Sequence, residues 1–550
     1  MEVHFVQKAA RLVLFSAVIL LASYLRITGL AWGLTSGYGH DRNFQPDEFV
    51  SLRGVLQIDL LRGQIKAPSA YFEGTFNYYL WAIPKAALKL SSDTGIASAA
   101  STRMETEDHA NLLYICRWMS VLFDLCTLIV VFLAIREATH TFYPCLIGAL
   151  CYAVLPMQVI YAHFMRTHVL SNLLCALVIW LSLKFRNAQR SWMFVLVGLL
   201  SGLGAATRYP VGIIVVIPCL YLLFDRCDDL PNWKIRLWER AKGLVAGSVW
   251  LIGLGFVIGL FLGHPMLFLN LPSVTKAITG ETLKYASLQE FNASRLLNLS
   301  VVWKYISYLI PFAMYPLLWL VLYCAILYLG FRPSLYSQSV PILIFSLLYL
   351  YFMAKGYLGP YFARATMFLF PGFCVLVGIA YNDLRLRLRK QKAVATLLTS
   401  ALFLFLGPSV VFDVAYVHAM EQKDARLALR KDLQKMIGES SATIGVSRFG
   451  PTFYTVMPAV EPLKSARVIV QLQDAGQKAD FYLVGFTGQI DSTRLNVTSR
   501  MVEAQGKFRF EKSYSVRPKI FGKELGLARF PTDMTYPFPT ILLFRAKAET

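Results

Sequence analysis

Long apolar runs separated by short basic links constrain this chain more than any other feature of its sequence. Eleven windows come close to the roughly 20 apolar residues that a transmembrane helix needs. They lie near residues 11–33, 112–135, 142–160, 169–185, 192–207, 210–224, 243–262, 309–330, 338–353, 364–381 and 393–412. Hydrophobic residues make up 56% of the chain and charged residues only 16%, too apolar a balance for an ordinary soluble core. The sequence therefore predicts a mainly α-helical, polytopic membrane bundle of about 11 transmembrane helices.

The positive charge of the chain predicts its orientation in the bilayer rather than nucleic-acid binding. The formal net charge is +21, but the Lys and Arg residues cluster in the links between the apolar windows. If the N-terminus is cytoplasmic, the links after the even-numbered windows are cytoplasmic too, and all of them are basic, as the positive-inside rule requires. The most basic of these links is "DLRLRLRKQK" at 383–392. We expect an integral membrane protein with a cytoplasmic N-terminus, an extracytoplasmic C-terminus, the lipid bilayer as a partner and no nucleic acid.

This orientation leaves three long stretches outside the cytoplasm. They are a first loop at 34–111, a second large loop at 263–308 and the chain from 413 onward. Short apolar runs bounded by turn residues, such as "ATIGVSRF" and "DFYLVGF", follow residue 413 and predict a small α/β domain over 413–550. The transmembrane domain then covers 1–412. The exported stretches contain no cysteine, which together with the form of the C-terminal domain favours a bacterial cell membrane.

Asp47 and Glu48 stand together in "NFQPDEF" of the first loop and are the sharpest chemical feature of the sequence. Adjacent carboxylates at a membrane surface are costly unless a cation or an acceptor group meets them. One carboxylate can take the proton of an acceptor while the other orients that acceptor or a metal ion. The alternative is structural: Pro46 starts a helix whose first turn carries two acids that match the helix dipole.

Several cations are predicted at the same side of the membrane as Asp47. A lipid phosphate at the boundary needs such donors, and Arg binds phosphate in a bidentate manner. Each of these side chains can also simply snorkel to the interface. The candidate phosphate-binding residues are Arg166, Arg208, Lys355 and Arg364, with Lys276 and Lys284 in the second loop.

Three histidines map to this face as well: His163, His168 and His264. A carboxylate beside histidines can hold a divalent ion, so these residues are candidate acceptor or metal contacts. No ligand spacing supports a metal specifically, and a satisfied interfacial histidine is the alternative for each. No cofactor is certain, and a divalent metal ion is the candidate. Inside the second window, Asp124 and Arg117 share a helical face and predict a buried pair or a polar contact in the bundle, with a structural role.

Short motifs with a recognisable order run along nearly the whole chain. "FQPDEF" is followed by the aromatic stretch "NYYLWAIPKA", by "PMQVIYAHFMRTHVLSN", "GLGAATRYPVGIIVVIP" and "GYLGPYFARATMFLFPGFCVL", and by the C-terminal "DARLALRKDLQKMIGESSATIGV", "ADFYLVGF" and "FPTILLFRAK". In this order the chain resembles the GT-C superfamily of membrane glycosyltransferases. The resemblance is to the group of the protein O-mannosyltransferases and the lipid A aminoarabinose transferase in particular. Relatives often place an aspartate after the third span, where this chain has His163 and then His168.

The resemblance implies a function and roles for individual residues. It implies transfer of a sugar from a polyprenyl-phosphate donor to a protein, lipid or glycan acceptor on the extracytoplasmic face, by a single inverting displacement. Asp47 would be the catalytic base, Glu48 its acidic neighbour, and Arg208 and Arg364 ligands of the donor phosphate. A transporter or flippase of polyprenyl-linked sugars is the main alternative, although the sequence shows no two-fold internal repeat. A non-catalytic assembly protein is a further alternative.

Overall fold

The computed structural model divides the chain into two compact units. The helical unit comprises residues 1–26, 50–95 and 116–410, and the C-terminal unit comprises 27–49, 96–115 and 411–550. The predicted boundary at 412/413 remains a prediction, and the second unit also draws on the first loop. The structure describes residues 2–34, 44–89, 107–187, 190–225, 247–286, 299–354, 362–447, 452–460, 463, 466–470, 479–488 and 490–547.

Helices form the described chain up to Met420. The first ten are α1 Glu2–Ile27, α2 Pro46–Leu56, α3 Phe76–Ala87, α4 Glu107–Thr139, α5 Phe142–Ala153, α6 Pro156–Ala162, α7 Thr167–Asn187, α8 Ser191–Thr207, α9 Val216–Asp225 and α10 Gly247–Gly263. The next eight are α11 Met266–Leu269, α12 Leu271–Ala286, α13 Leu299–Lys304, α14 Ile310–Met314, α15 Pro316–Gly330, α16 Tyr336–Ala354, α17 Phe370–Arg387 and α18 Lys392–Met420. Tighter 3-10 turns at Tyr209–Val215 and Ala363–Leu369 lead into α9 and α17.

Each of the eleven predicted windows contains a helix or a pair of helices. Within the described residues, six helices are long and apolar enough to cross a membrane. Two bent pairs raise this number to eight if each pair is one span: α5 with α6 at 61°, and the helical run Ser300–Met314 with α15 at 118°. The helices α8, α10 and the segment Tyr209–Phe224 are apolar but shorter. The chain is therefore an integral membrane protein, and the count of about eleven spans stays a prediction.

Two glycine pairs bring α8 and α10 into unusually close contact. Gly198 and Gly202 lie four residues apart on α8, and Gly255 and Gly259 lie four apart on α10. A Cβ atom at any of these positions would lie 2.1 Å from a backbone carbonyl oxygen of the opposite helix. Small residues at this spacing let two membrane helices touch through their backbones. Larger side chains at these four positions would force α8 and α10 apart.

Asp124 is buried in α4 and pairs with a different arginine from the one predicted. Its carboxylate accepts hydrogen bonds from Arg26 at the end of α1 and from the Tyr152 hydroxyl, the latter at 2.6 Å. Arg26 also donates to the carbonyl oxygen of Ala153 at 2.8 Å. Asp124 therefore makes a buried polar contact in the bundle, as predicted, but its cationic partner is Arg26 rather than Arg117. Two turns of helix separate Asp124 from Arg117 by roughly 10 Å along the axis, so a cation from a neighbouring helix reaches Asp124 instead.

The C-terminal unit contains a small α/β fold, as predicted. Its helices are α19 Ala425–Ile437, α20 Thr452–Val460 and α21 Ser492–Glu503. Its strands are β1 Ala442–Val446, β2 Ala466–Val470, β3 Phe481–Phe486, β4 Phe508–Ser515, β5 Lys519–Ile520, β6 Lys523–Glu524 and β7 Thr540–Ala546. Five strands form one sheet in the order β2-β1-β3-β7-β4, with β1 parallel to β2 and β3, and β7 antiparallel to β3 and β4.

Apolar side chains cover both faces of this sheet, as expected for a mixed sheet with helices. On one face, Leu429 and Leu433 of α19 pack with Ile444 of β1 and Leu543 of β7. On the other face, a smaller cluster joins aromatic residues of β3, β4 and β7 to Val502 of α21. These contacts fix α19 to the sheet, and α19 begins shortly after the end of α18 at Met420.

Candidate active site

Asp47 and Glu48 lie in the first turn of α2, directly after Pro46. The side-chain oxygen of Gln45 accepts hydrogen bonds from the backbone N–H groups of Asp47, at 2.5 Å, and of Glu48, at 3.2 Å. Gln45 therefore caps the helix, and this task does not fall to the two carboxylates. Glu48 is buried and Asp47 is half-buried. The predicted proline-started helix is present, and both acids lie in its first turn, where they match the helix dipole.

Glu73 bridges two of the predicted phosphate-binding arginines in the helical unit. Its Oε1 accepts a hydrogen bond from Arg166 Nη2 at 2.9 Å and another from Arg208 Nη1 at 3.2 Å. Its Oε2 accepts a hydrogen bond from the Tyr78 hydroxyl at 3.1 Å. Arg166 also donates to the Ser51 hydroxyl at 3.1 Å. One carboxylate shared in this way neutralises only one of the two formal positive charges that it touches.

His168 connects this bridge to the third predicted arginine. Its ring stacks on Phe368, with 5.8 Å between centroids and 7° between planes, and the Arg208 guanidinium lies 5.9 Å from the same Phe368 ring. The His168 ring is also 5.1 Å from the ring of Tyr161, whose hydroxyl accepts a hydrogen bond from Arg364 Nη1 at 3.2 Å. All three guanidinium groups are close enough to act on His168 electrostatically. The structure thus brings the predicted arginines together around one histidine.

The imidazole of His168 is buried without a hydrogen bond from the described part of the chain. Only 1% of its surface is exposed, and neither ring nitrogen has a partner among these residues. A buried polar group without a partner costs free energy, and such groups in native proteins commonly serve a ligand. The His168 ring, Arg166, Arg208 and Arg364 together form what we call the arginine cluster. Its chemistry suits an anion with several oxygen atoms, such as a phosphate.

The other two predicted histidines are held by protein atoms. His163 Nδ1 lies 2.7 Å from the carbonyl oxygen of Val159. His264 lies 2.9 Å from the hydroxyls of both Thr75, through Nδ1, and Tyr209, through Nε2. Burial lowers the pKa of His264 to about 4, so its ring is neutral near pH 7. His264 therefore fits the alternative of a satisfied interfacial histidine.

No group of three His, Cys, Asp or Glu side chains that could hold a metal ion occurs in the residues that the structure describes. A role for a divalent ion remains a prediction. Lys355 and the side chain of Lys284 lie outside the described residues. Lys276 is exposed on α12.

Sequence reasoning missed Glu73, although a signal for it existed. Glu73 is the only acidic residue between positions 60 and 92, within the aromatic stretch that leads into α3. A lone acid in such an apolar stretch needs a cationic partner, because an unpaired buried carboxylate is costly. That argument predicts that Glu73 pairs with a cation, but it does not identify Arg166 or Arg208 as the partner.

Residues 111–252 match the model of the family described as dolichyl-phosphate-mannose-protein mannosyltransferase. This segment carries Arg166, His168 and Arg208, the central part of the arginine cluster. Over this segment the chain is similar to the protein O-mannosyltransferases, in agreement with the predicted resemblance. No curated protein matches the chain.

Solved structures of membrane glycosyltransferases are similar to this chain at low sequence identity. ArnT from Cupriavidus metallidurans bound to undecaprenyl phosphate is 12% identical over 97% of each chain, with a TM-score of 0.45. The oligosaccharyltransferase of Archaeoglobus fulgidus, in complex with Zn and sulfate, is 14% identical over 81% of this chain and 61% of its own, with a TM-score of 0.46. This chain therefore spans about three-fifths of the archaeal enzyme. The Pmt1-Pmt2 protein O-mannosyltransferase complex of S. cerevisiae, bound to the sugar donor, is 15% identical over 52% and 38%, with a TM-score of 0.33.

Proposed function

We propose that this GT-C-type protein transfers a sugar from a polyprenyl-phosphate donor to a protein, lipid or glycan acceptor on the extracytoplasmic face of a cell membrane. The observation that carries this proposal is the arginine cluster around the buried His168, whose ring nitrogens have no hydrogen-bond partner among the described residues. The cluster lies largely in the segment that matches a family of lipid-phosphate-sugar transferases. The predicted orientation, with the loop 34–111 and the C-terminus outside the cytoplasm, is part of the proposal.

The arginine cluster would bind the donor phosphate and stabilise its charge as the sugar leaves. A sugar phosphodiester carries one negative charge, and the polyprenyl phosphate released from it carries up to two. The guanidinium groups of Arg166, Arg208 and Arg364 are suited to meet this added charge, because each presents several N–H donors in a fixed plane. Fixed cations at the place where charge develops lower the barrier most. Lys355 is a fourth candidate for this role.

Asp47 would act as the general base on the acceptor. The acceptor O–H or N–H proton passes to the Asp47 carboxylate while the acceptor atom forms a bond to the anomeric carbon of the sugar. The bond from that carbon to the phosphate oxygen breaks, its electron pair stays on the phosphate, and the configuration inverts. Glu48 would orient the acceptor. The adjacent positions of both acids in the first turn of α2 support this role, because both carboxylates begin at the same end of one helix.

Incubation of the purified full-length protein with a labelled polyprenyl-phosphate sugar tests the proposal. Sugar bound to an added acceptor establishes a transferase, and movement of intact donor between leaflets establishes a flippase instead. If neither transfer nor movement is observed, the result favours an assembly protein. The variant Arg208→Gln should lower turnover at least a hundredfold, because it removes a phosphate ligand. Arg62→Gln is the matched control, since Arg62 lies in the same loop region as Glu73 with its side chain 77% exposed.

A further inference from the structure

The segment that precedes Asp47 is fixed by an arginine of the C-terminal α/β fold. Arg426 is the second residue of α19, and its side chain is buried. Its Nη1 donates a hydrogen bond to the carbonyl oxygen of Phe44 at 3.0 Å. Its Nε and Nη2 donate to the two carboxylate oxygens of Asp424, at 2.8 and 3.0 Å. The guanidinium group is therefore held in one orientation by Asp424 and directs its remaining edge at Phe44.

Aromatic rings enclose the same guanidinium group. Its central carbon lies 4.1 Å from the ring centroid of Phe44 and 5.5 Å from that of Trp32. The two rings contact each other edge to face, with 6.0 Å between centroids, and both are buried. Stacking of this kind favours Arg over Lys, because the planar guanidinium can lie on a ring while it donates in its own plane.

A glycine completes the enclosure of Phe44. The N–H of Phe44 donates to the carbonyl oxygen of Gly33 at 3.3 Å. Gly33 has φ +70°, and a Cβ atom there would lie 2.9 Å from the Cβ of Phe44. Only glycine meets both conditions without strain. Phe44 is thus held through its carbonyl, its N–H and its ring.

We propose that Arg426 is a positioning residue for Asp47 and Glu48. The restraint passes through two consecutive residues: Arg426 fixes the Phe44 carbonyl, and the next residue, Gln45, is buried and accepts hydrogen bonds from the N–H groups of Asp47 and Glu48. The C-terminal fold then sets the direction in which α2 begins. The catalytic meaning of this restraint rests on the proposed function, whereas the restraint itself does not.

A purely structural role is the competing explanation, and Arg430 provides a matched control for it. Arg430 lies one turn after Arg426 on α19 and is also buried. Its Nη2 and Nε donate to the carbonyl oxygens of Pro458 at 2.7 Å and Ala459 at 3.3 Å, both in α20. Arg430→Gln therefore removes a buried arginine from the same helix but leaves the bonds of Arg426 to Phe44 in place.

Hydrogen exchange measured by mass spectrometry on the full-length protein in lipid nanodiscs tests the restraint without any substrate. Arg426→Gln should speed exchange of the backbone amides at 44–48 at least tenfold, and Arg430→Gln should speed exchange in α19 and α20 only. Unchanged exchange at 44–48 in folded Arg426→Gln would overturn the proposal, as would equal acceleration there in both variants. The double variant Asp424→Asn with Arg426→Gln removes both buried charges together. Its exchange at 44–48 is measured instead if the single variant Arg426→Gln does not fold.

Steady-state kinetics then separates positioning from binding. Arg426→Gln should lower kcat for sugar transfer at least tenfold, and its KM for the polyprenyl-phosphate donor should stay within twofold of the wild-type value. The kcat of Arg426→Lys should lie between those of Arg426→Gln and the wild type. A change in KM alone would overturn the positioning role. If the wild-type protein transfers no sugar, the proposed function fails, and the exchange at 44–48 still decides whether Arg426 holds the segment.

Discussion

Replacing Glu73 by glutamine tests whether this carboxylate competes with a phosphate for the two arginines that it bridges. The carboxylate lies 2.9 Å from Arg166 Nη2 and 3.2 Å from Arg208 Nη1. A phosphate bonded to both guanidinium groups would lie about 6 Å from the carboxylate, because each N–H···O contact spans about 3 Å. Two like charges at that separation repel by about 3 kcal/mol at an effective dielectric constant near 20.

We expect Glu73→Gln to bind polyprenyl phosphate about tenfold more tightly, since relaxation of the side chains removes part of the calculated gain. The same variant should lower the melting temperature of the protein, because the loss of a buried carboxylate leaves Arg166 with an uncompensated charge and costs about 2–3 kcal/mol. Bound polyprenyl phosphate should raise the melting temperature of this variant part of the way back to the wild-type value. Turnover should decrease, since the product dissociates more slowly.

Native mass spectrometry of lipid adducts, run beside thermal unfolding, measures both effects on the full-length protein. Asp59→Asn is the control, because it removes the same charge from the same loop region but lies at the start of a short 3-10 turn, where Asp59 caps the N–H of Arg62. Weaker phosphate binding by Glu73→Gln would refute the competition. An equal gain in phosphate affinity in Glu73→Gln and Asp59→Asn would refute it as well. Arg166→Gln should weaken binding at least tenfold in the same assay.

Three further variants test other parts of the structure. Asp47→Asn should abolish sugar transfer while expression and membrane insertion stay near normal, and retained turnover of the purified variant would exclude Asp47 as the base. Asp124→Asn should destabilise the protein by about 3 kcal/mol, because it leaves Arg26 buried without its charge partner; an unchanged melting temperature would contradict this pairing. The depressed pKa of His264 means that the unfolded chain takes up a proton below about pH 6.5 and the folded chain only near pH 4. Stability should therefore fall by about 2 kcal/mol between pH 7.5 and pH 5, and His264→Gln should remove this part of the pH dependence.

Hydropathy predicted the positions of the helices well, because a membrane helix is recognised from local composition alone. All eleven windows contain helices, and the orientation that the basic links predict stays a prediction. The same reasoning could not decide which helices are full spans. The windows near 142–160 and 309–330 each contain a sharp bend, and Pro156 and Pro316 begin the second helix of each pair. A hydropathy window averages over such a bend and cannot show it.

The partners of buried charges were the least predictable part of the site. The bridge from Glu73 to Arg166 joins residues 93 positions apart, and the bond from Arg426 to Phe44 joins residues 382 apart. Spacing along one helix carries no information about such contacts, which is why Asp124 was assigned to Arg117 rather than to Arg26. The three predicted arginines did come together, since Arg166 and Arg208 follow apolar runs that end at one predicted boundary and Arg364 begins a run at the same boundary.

The close approach of α8 and α10 links the apolar interior of the helical unit to its polar end. The helix α8 ends directly before Arg208, and α10 ends directly before His264. A methyl group added at Gly202 or Gly255 would lie 2.1 Å from a backbone oxygen, so a backbone would have to move by more than about 1 Å to reach an ordinary van der Waals contact. Such a variant alters no polar atom, yet it would displace Arg208, the proposed phosphate ligand, and its loss of activity would resemble a catalytic defect. Inactivating substitutions in this protein can therefore arise deep among the lipid-facing helices, far from any charged group.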